Sequence, residues 1–208
     1  MELYEALEKR RTCRDYSDRE VSDEILKRVI GAAFKAPTND HLRQLEFVVM
    51  RGRENIAPII DPLAKNMAAF KKLVHEADES GDKDKMAMFA DALPKQQRML
   101  MQSGLLILPF FRQKQSPLLK PVEQSSLNYF ASAWCALENM LLAATAEGLG
   151  TVFHIPVGDE AEKIKEIVGA PEDYEFICLL TMGYPAADAF RPKQKEIDIG
   201  DRIHTNVW

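Results

Sequence analysis

The chain has 208 residues, 46% of them hydrophobic and 28% charged, with a net charge of −5. That length buries a core without disulfides or a metal, and the composition is ordinary for a soluble globular protein. The acidic balance excludes a general nucleic-acid surface.

Residues 2–9 read as a short helix with Leu3, Ala6 and Leu7 on one face. Lys9, Arg10, Arg11 and Arg14 then gather into a basic cluster, which is either a solvated helix end or an anion site. Asp15–Val21 is polar and turn-rich. Ser22 supplies an N-cap, with Asp23 and Glu24 in the first turn, where carboxylates complement the helix dipole. Ile25, Val29, Ile30 and Ala33 follow at helical spacing until Pro37 ends the run. Ala36–Asp40 is a loop by composition, and Leu45–Met50 is rich in β formers and predicts a strand.

Residues 55–102 carry helical patterns broken at Glu79-Ser80-Gly81-Asp82, as in a helical excursion. Met67, Phe70, Val74, Met86, Phe89, Met99 and Met101 either pack its core or line an apolar pocket. Leu105–Phe111 is a buried strand. Leu127–Thr145 is a helix, apolar over a broad arc that places it at the centre of the fold or in an interface. Gly148-Leu149-Gly150 ends it; Thr151–Ile155 is a strand, Asp159–Val168 a helix and Phe176–Met182 a last buried strand. The tail from Gly183 to Trp208 has no helix of its own and needs a surface to lie on, a partner subunit being one. The pattern describes a sheet with helices packed on it, with no internal repeat and no linker.

Familiar chemical motifs are missing. There is no GxGxxG or GxxxxGK[ST] phosphate motif and no GxSxG elbow. His41, His75, His154 and His204 lack ligand spacing, and Cys13, Cys135 and Cys178 form no CxxC or Cys/His cluster, so no metal is expected. Cys135 and Cys178 sit in apolar runs and read as buried, unreactive thiols suited to a reducing compartment. The charged N-terminus lacks a signal peptide's apolar stretch, and the longest apolar runs are too short to span a bilayer. A cytoplasmic protein without membrane contact is the expectation. What remains is Arg10-Arg11-Thr12-Cys13-Arg14. In an extended segment residues 10, 12 and 14 share a side, so two guanidiniums and a hydroxyl converge on one anion. Arg191-Pro192-Lys193-Gln194-Lys195 offers a second cluster of the same kind.

These pieces resemble the FMN-dependent nitroreductase family. The opening runs Glu8-Lys9-Arg10-Arg11-Thr12-Cys13-Arg14-Asp15-Tyr16, then Val21, Ile25-Leu26 and Ala32–Thr38. The ending runs Glu147–Thr151, Ile167–Tyr174 and Met182–Ala186, so the likeness covers about two thirds of the chain, in order. The resemblance implies one α+β domain over residues 1–208, with a mainly antiparallel central sheet flanked by helices and an excursion at about 55–102. It also implies an intertwined homodimer, with the 183–208 tail packed on the partner and one FMN per subunit at the interface.

Carried over by position, Arg10, Arg11, Thr12 and Arg14 hold the FMN phosphate and flavin edge, and Lys193 and Lys195 complete the phosphate site. Pro37, Thr38 and Asn39 pass near the ring from the other subunit, while Pro156, Val157 and Gly158 lie against it and offer backbone amides to its N5 side. The chain departs from the family at His41-Leu42-Arg43-Gln44-Leu45, where an Asn and a Gln-Pro-Trp are usual. His41 either replaces the Asn contact or is a loop residue. Arg43 either favours an anionic substrate or pairs with Asp40 or Glu46, the commoner fate of a surface charge.

The implied reaction is hydride transfer from NAD(P)H through FMN to an electron-poor small-molecule acceptor such as a nitroaromatic or quinone, with no dedicated catalytic side chain. The alternatives are an FMN storage or sensor protein with little turnover, or the same fold with other chemistry, such as reductive dehalogenation or flavin fragmentation.

Overall fold

The computed structural model of the chain describes residues 1–39, 43–64, 81, 83–113, 124–194 and 196–208. The readings made at Asp40, His41, Met67, Phe70, Val74, His75, Glu79, Ser80, Asp82 and Lys195 lie outside the described residues. In chain order the elements are α1 (Leu3–Lys9), α2 (Asp23–Ala33), β1 (Leu45–Met50), α3 (Arg53–Ala64), α4 (Lys83–Gln102) and β2 (Leu105–Arg112). They continue with α5 (Gln124–Ala146), β3 (Gly150–His154), α6 (Glu160–Val168), β4 (Tyr174–Phe176) and β5 (Leu179–Gly183). Ser22 caps α2 as expected, its hydroxyl accepting from the Ile25 N–H at 3.4 Å.

The strand β2 is the spine. It pairs with β1 from Leu45↔Phe111 to Met50↔Leu106, and on its other side with β5 and β4. β3 then pairs with β5, and every one of these pairings is antiparallel. Leu105 and Ile107 face a core built by α2 and α5, whereas Leu106, Leu108 and Phe110 face a second core built by α3, α4 and α6. Both faces are covered, which is why Leu105–Phe111 is apolar without alternation. The expected α+β sheet flanked by helices is what the chain forms.

Two expectations need correcting. The last strand, read as continuous over Phe176–Met182, is two strands. Phe110 pairs with Phe176 but Ile107 with Leu180, so three residues oppose two in a β-bulge at Ile177–Leu179. The cause is Pro109, which has no N–H for the ladder; its carbonyl still accepts from Ile177 N–H at 3.1 Å. Cys178 is buried as expected, but Cys135 is exposed. An apolar run on a helix turns through every side, and Cys135 falls on the outward side of α5 with Leu127, Ala131 and Glu138. Burial pushes the Cys13 and Cys178 thiols above the usual cysteine range. Phe89 and Met86 are half-buried, whereas Met99 belongs to the core.

No helix of the described residues is long and apolar enough to cross a membrane. The tail forms no α-helix among the described residues, only a 3₁₀ turn at Gly200–Arg202, and leaves Ile197, Ile199, Ile203, Val207 and Trp208 exposed. Its root is tight. A Cβ at Gly183 would stand within contact of the Ser103 carbonyl oxygen and 2.9 Å from the Tyr16 ring. Gly183→Ala is therefore expected to destabilise the chain by about 1–3 kcal/mol through overpacking. Chemical denaturation checks this, and an unchanged midpoint would show that the neighbours yield freely.

Candidate functional site

The helix α1 stops at Lys9 because Arg10 turns extended, with φ −62° and ψ 117°. The chain then runs along the β3 edge. Thr12 bridges Thr151 in parallel, Cys13 N–H donates to the Thr151 carbonyl at 3.0 Å, and Tyr16 bridges Pro185. The fit depends on Gly150, where a Cβ would stand 2.6 Å from Cys13 Sγ. The Tyr16 hydroxyl donates to the Cys13 carbonyl at 2.8 Å and lies 2.6 Å from the Thr181 hydroxyl. Burial raises the Tyr16 phenol well above its ordinary range, so it stays neutral and keeps its donor. This edge brings the two ends of the chain together.

Arg10, Arg11 and Thr12 line a cavity of about 590 Å³ with Asp84, Lys85, Ala87 and Met88 of α4 and with Phe190–Gln194 of the tail. Arg10, Arg11, Lys85, Arg191 and Lys193 thus line one cavity, in which Asp84 supplies the carboxylate among the described lining residues. Arg11 donates to the Arg10 carbonyl at 2.7 Å, Arg10 stands 3.9 Å from Glu138, and Lys193 stands 3.8 Å from Glu196. In a chain of net charge −5 this local excess of cations suits a multiply charged anion.

A second cavity, of about 310 Å³, adjoins the first along α4 and shares Met88. Phe89, Ala92 and Leu93 of α4 face Phe153, Ile155 and Val157 across it, and Arg14 and Gln96 add polar groups. Arg14 thus lines this cavity, whereas Arg10 and Thr12 line the other. Arg14 pairs with Asp91 at 3.1 Å, both being about one-tenth exposed. Lys95 bridges Asp91 and Asp15, and Arg98 reaches Asp15 at 2.9 Å. Burial opposes the Lys95 charge, but its hydrogen bonds to Asp15 and Asp91 outweigh that and hold the ammonium above the usual lysine range.

Beneath the second cavity lies a buried polar chain. Gln96, His154 and Glu160 are 8%, 3% and 0% exposed. Gln96 Nε2 bonds to His154 Nδ1, His154 Nε2 lies 3.1 Å from Glu160 Oε2, and the same oxygen accepts the Val157 N–H at 2.9 Å.

The remaining expected residues lie elsewhere. Thr38, Asn39 and Arg43 line a small pocket with Tyr129, Ser132 and Arg112 that shares no residue with the other two cavities. Asn39 N–H donates to Ser132 Oγ at 2.9 Å, and Pro37 is exposed beside it. Arg43 is exposed at φ 47° and forms no ion pair with Glu46 among the described residues. No His/Cys/Asp/Glu cluster among the described residues could hold a metal. Met88, Gln96 and Glu160 were not expected, and Arg191 was expected only as part of the tail's basic cluster. Arg191 had a signal, since residues 191 and 193 alternate as 193 and 195 do; the others depend on how α4 crosses the sheet.

The nitroreductase family model matches residues 7–184. The chain belongs to the nitroreductase family. A protein of Methanothermobacter thermautotrophicus that carries the provisional name NADH dehydrogenase/NAD(P)H nitroreductase is 29% identical over 210 residues, which cover 100% of this chain and 88% of that protein. Mouse iodotyrosine deiodinase 1 is also 29% identical, over 95% of this chain and 67% of its own length. A crystal structure of oxidised iodotyrosine deiodinase bound to FMN and 3-iodo-L-tyrosine matches the fold with a TM-score of 0.74 at 18% identity, over 100% of each chain.

Asp91 is expected to matter more for stability than the exposed pairs do. Asp91→Ala leaves the Arg14 cation without its partner and should cost about 3 kcal/mol. Arg112→Ala breaks only the exposed Arg112–Asp173 pair and should cost under about 1 kcal/mol. Denaturation midpoints of the two variants check the order; equal losses would mean that the Arg14 cation does not depend on Asp91.

Proposed function

We propose that the protein is an FMN-dependent oxidoreductase that takes a hydride from NAD(P)H and delivers it to an electron-poor acceptor, such as a nitroaromatic or quinone. The observation that carries this reading is the pair of adjoining cavities, one cationic and one apolar, that share Met88. FMN has the same two-part character, a phosphate at one end and a flat ring at the other. Arg10, Arg11, Thr12, Arg191, Lys193 and Lys195 would hold the phosphate. Arg14 would stand at the ring edge, and Ile155, Pro156, Val157 and Gly158 would wall the ring. When bound, FMN supplies the hydride chemistry. The chain's own residues place the group, surround it with cations and amides, and exclude water with Phe89, Leu93 and Phe153. No side chain serves as a dedicated acid or base.

In this reading one domain spans residues 1–208, works in the cytoplasm and pairs as a homodimer. Support comes from the outward side of α5 with Leu127 and Cys135, and from the exposed apolar residues of the tail. Pro37, Thr38, Asn39, His41 and Arg43 then serve the partner's cavity; the separation of Thr38, Asn39 and Arg43 from this chain's own cavities supports that. A second reading keeps the cofactor and changes the acceptor to a halogenated aromatic that loses halide on reduction. The deiodinase relatives favour it.

The test is a visible spectrum of the purified protein with identification of the released group, followed by steady-state NAD(P)H oxidation. FMN bands with sustained turnover of a nitro or quinone acceptor support the first reading. Halide release from a halogenated phenol without nitro turnover supports the second. Bound FMN with neither activity points to storage, and a protein that takes up no FMN refutes all three. Each charge-assisted phosphate contact contributes about 1.5–3 kcal/mol, so Arg10→Ala combined with Arg11→Ala should weaken FMN binding about a hundredfold or more. Sedimentation at micromolar concentration should give a dimer mass.

A further inference from the structure

The turn from β3 into α6 walls the apolar cavity, and its backbone donors are unequally available. Pro156 has none. The Val157 N–H is committed to Glu160 Oε2 at 2.9 Å. The Gly158 N–H donates to none of the described residues, and Gly158 adopts φ 60°, a left-handed conformation that glycine takes without strain. Glu160 begins α6 and is wholly buried. Its other partner, His154, ends β3 and bonds through its far ring nitrogen to Gln96 of α4.

Gln96 Nε2–H donates to His154 Nδ1, His154 Nε2–H donates to Glu160, and Val157 N–H donates to the same carboxylate. The first two directions hold for the His154 tautomer that carries its proton on Nε2. A buried carboxylate with two donors is expensive to disturb, because each lost partner leaves a desolvated group unpaired. A surface acidic residue in the first turn of a helix needs no such partners to favour the dipole. Helix initiation alone does not explain why Glu160 reaches inward across the turn to His154.

We propose that Glu160 is a positioning residue for the cofactor, an inference that rests on the FMN reading above. By committing the Val157 N–H and anchoring His154, Glu160 holds the turn so that the Gly158 amide remains as its donor toward the ring. Through His154 and Gln96 the same carboxylate ties this turn to α4, so the two walls of the apolar cavity keep a fixed separation.

Backbone amide exchange by NMR on the unaltered protein, without and with added FMN, is the first test. The Val157 amide is expected to be protected already without FMN, and the Gly158 amide to gain about tenfold protection when FMN binds. The second measurement is FMN affinity, followed through flavin fluorescence. Glu160→Ala should raise the dissociation constant about tenfold, with Glu160→Gln, which keeps an acceptor for Val157, staying within about threefold of the original. A purely structural role would lower the unfolding midpoint of Glu160→Ala while leaving its FMN affinity unchanged, and that result overturns the proposal. If Glu160→Ala does not fold, the exchange data on the unaltered protein decide. FMN uptake with an unprotected Gly158 amide, or a freely exchanging Val157 amide, overturns this inference alone. Failure to take up any FMN overturns the functional reading and this inference with it.

Discussion

The seating of the Cys13 segment on Gly150 is the contact on which the site depends. Because Gly150 has no Cβ, the chain after α1 approaches β3 closely enough for Thr12 to bridge Thr151 and for Cys13 to bond its carbonyl. Tyr16 then closes the segment from the other end, bridging Pro185 and placing its hydroxyl between Cys13 and Thr181. The N-terminal basic residues thereby lie along the root of the tail, and Arg191 and Lys193 come to the same cavity as Arg10 and Arg11. Two clusters nearly the length of the chain apart become one cationic surface. A side chain at position 150 would push the segment off the sheet edge and separate them.

Charge within the site is distributed by α4 as much as by the basic segment. Asp91 and Lys95 of that helix pair with Arg14 and Asp15, so the Arg14 cation is half-balanced where the wall is apolar. Arg10 and Arg11, by contrast, stand among several cations with only Asp84 and the more distant Glu138 near them. The difference gives the groove a polarity: strongly positive at one end and close to neutral at the other. An amphipathic anion has one favourable orientation in such a groove. The same ion pairs hold α4 over the β3 edge, joining the electrostatics of the cavity to the placement of its apolar wall.

The chain taken alone is asymmetric in what it finishes. The cationic and apolar cavities are lined by its own residues, whereas Thr38, Asn39 and Arg43 stand in a separate pocket beside α5. The outward side of α5 and the tail beyond Arg191 leave apolar groups in solvent. Apolar groups exposed in this way ordinarily belong to an interface, and the homodimer proposed above would use the loop and the tail together.

Much of this was legible from residue order. Ser22 before Asp23 and Glu24 marks a helix start, Leu45–Met50 is a strand end to end, and Leu105–Phe111 is apolar without alternation because both its faces are covered. The basic segment was readable as such, whereas its meeting with the tail cluster was implied only by the family resemblance, because spacing within each segment says nothing about how the two approach in space. Three outcomes required the tertiary structure. Arg14 belongs with Asp91 because α4 crosses the segment there, and no local pattern encodes a partner 77 residues away. The bulge at Ile177 follows from Pro109 lying opposite it, a matter of strand register and not of either segment alone. Nothing in the sequence sets Glu160 apart, and only the approach of α6 to β3 buries it against His154. Local sequence determined the elements and the chemistry they carry. Long-range packing decided which charges neutralise one another and which are left to meet a ligand, because pairing depends on distance in space and leaves no period in the chain.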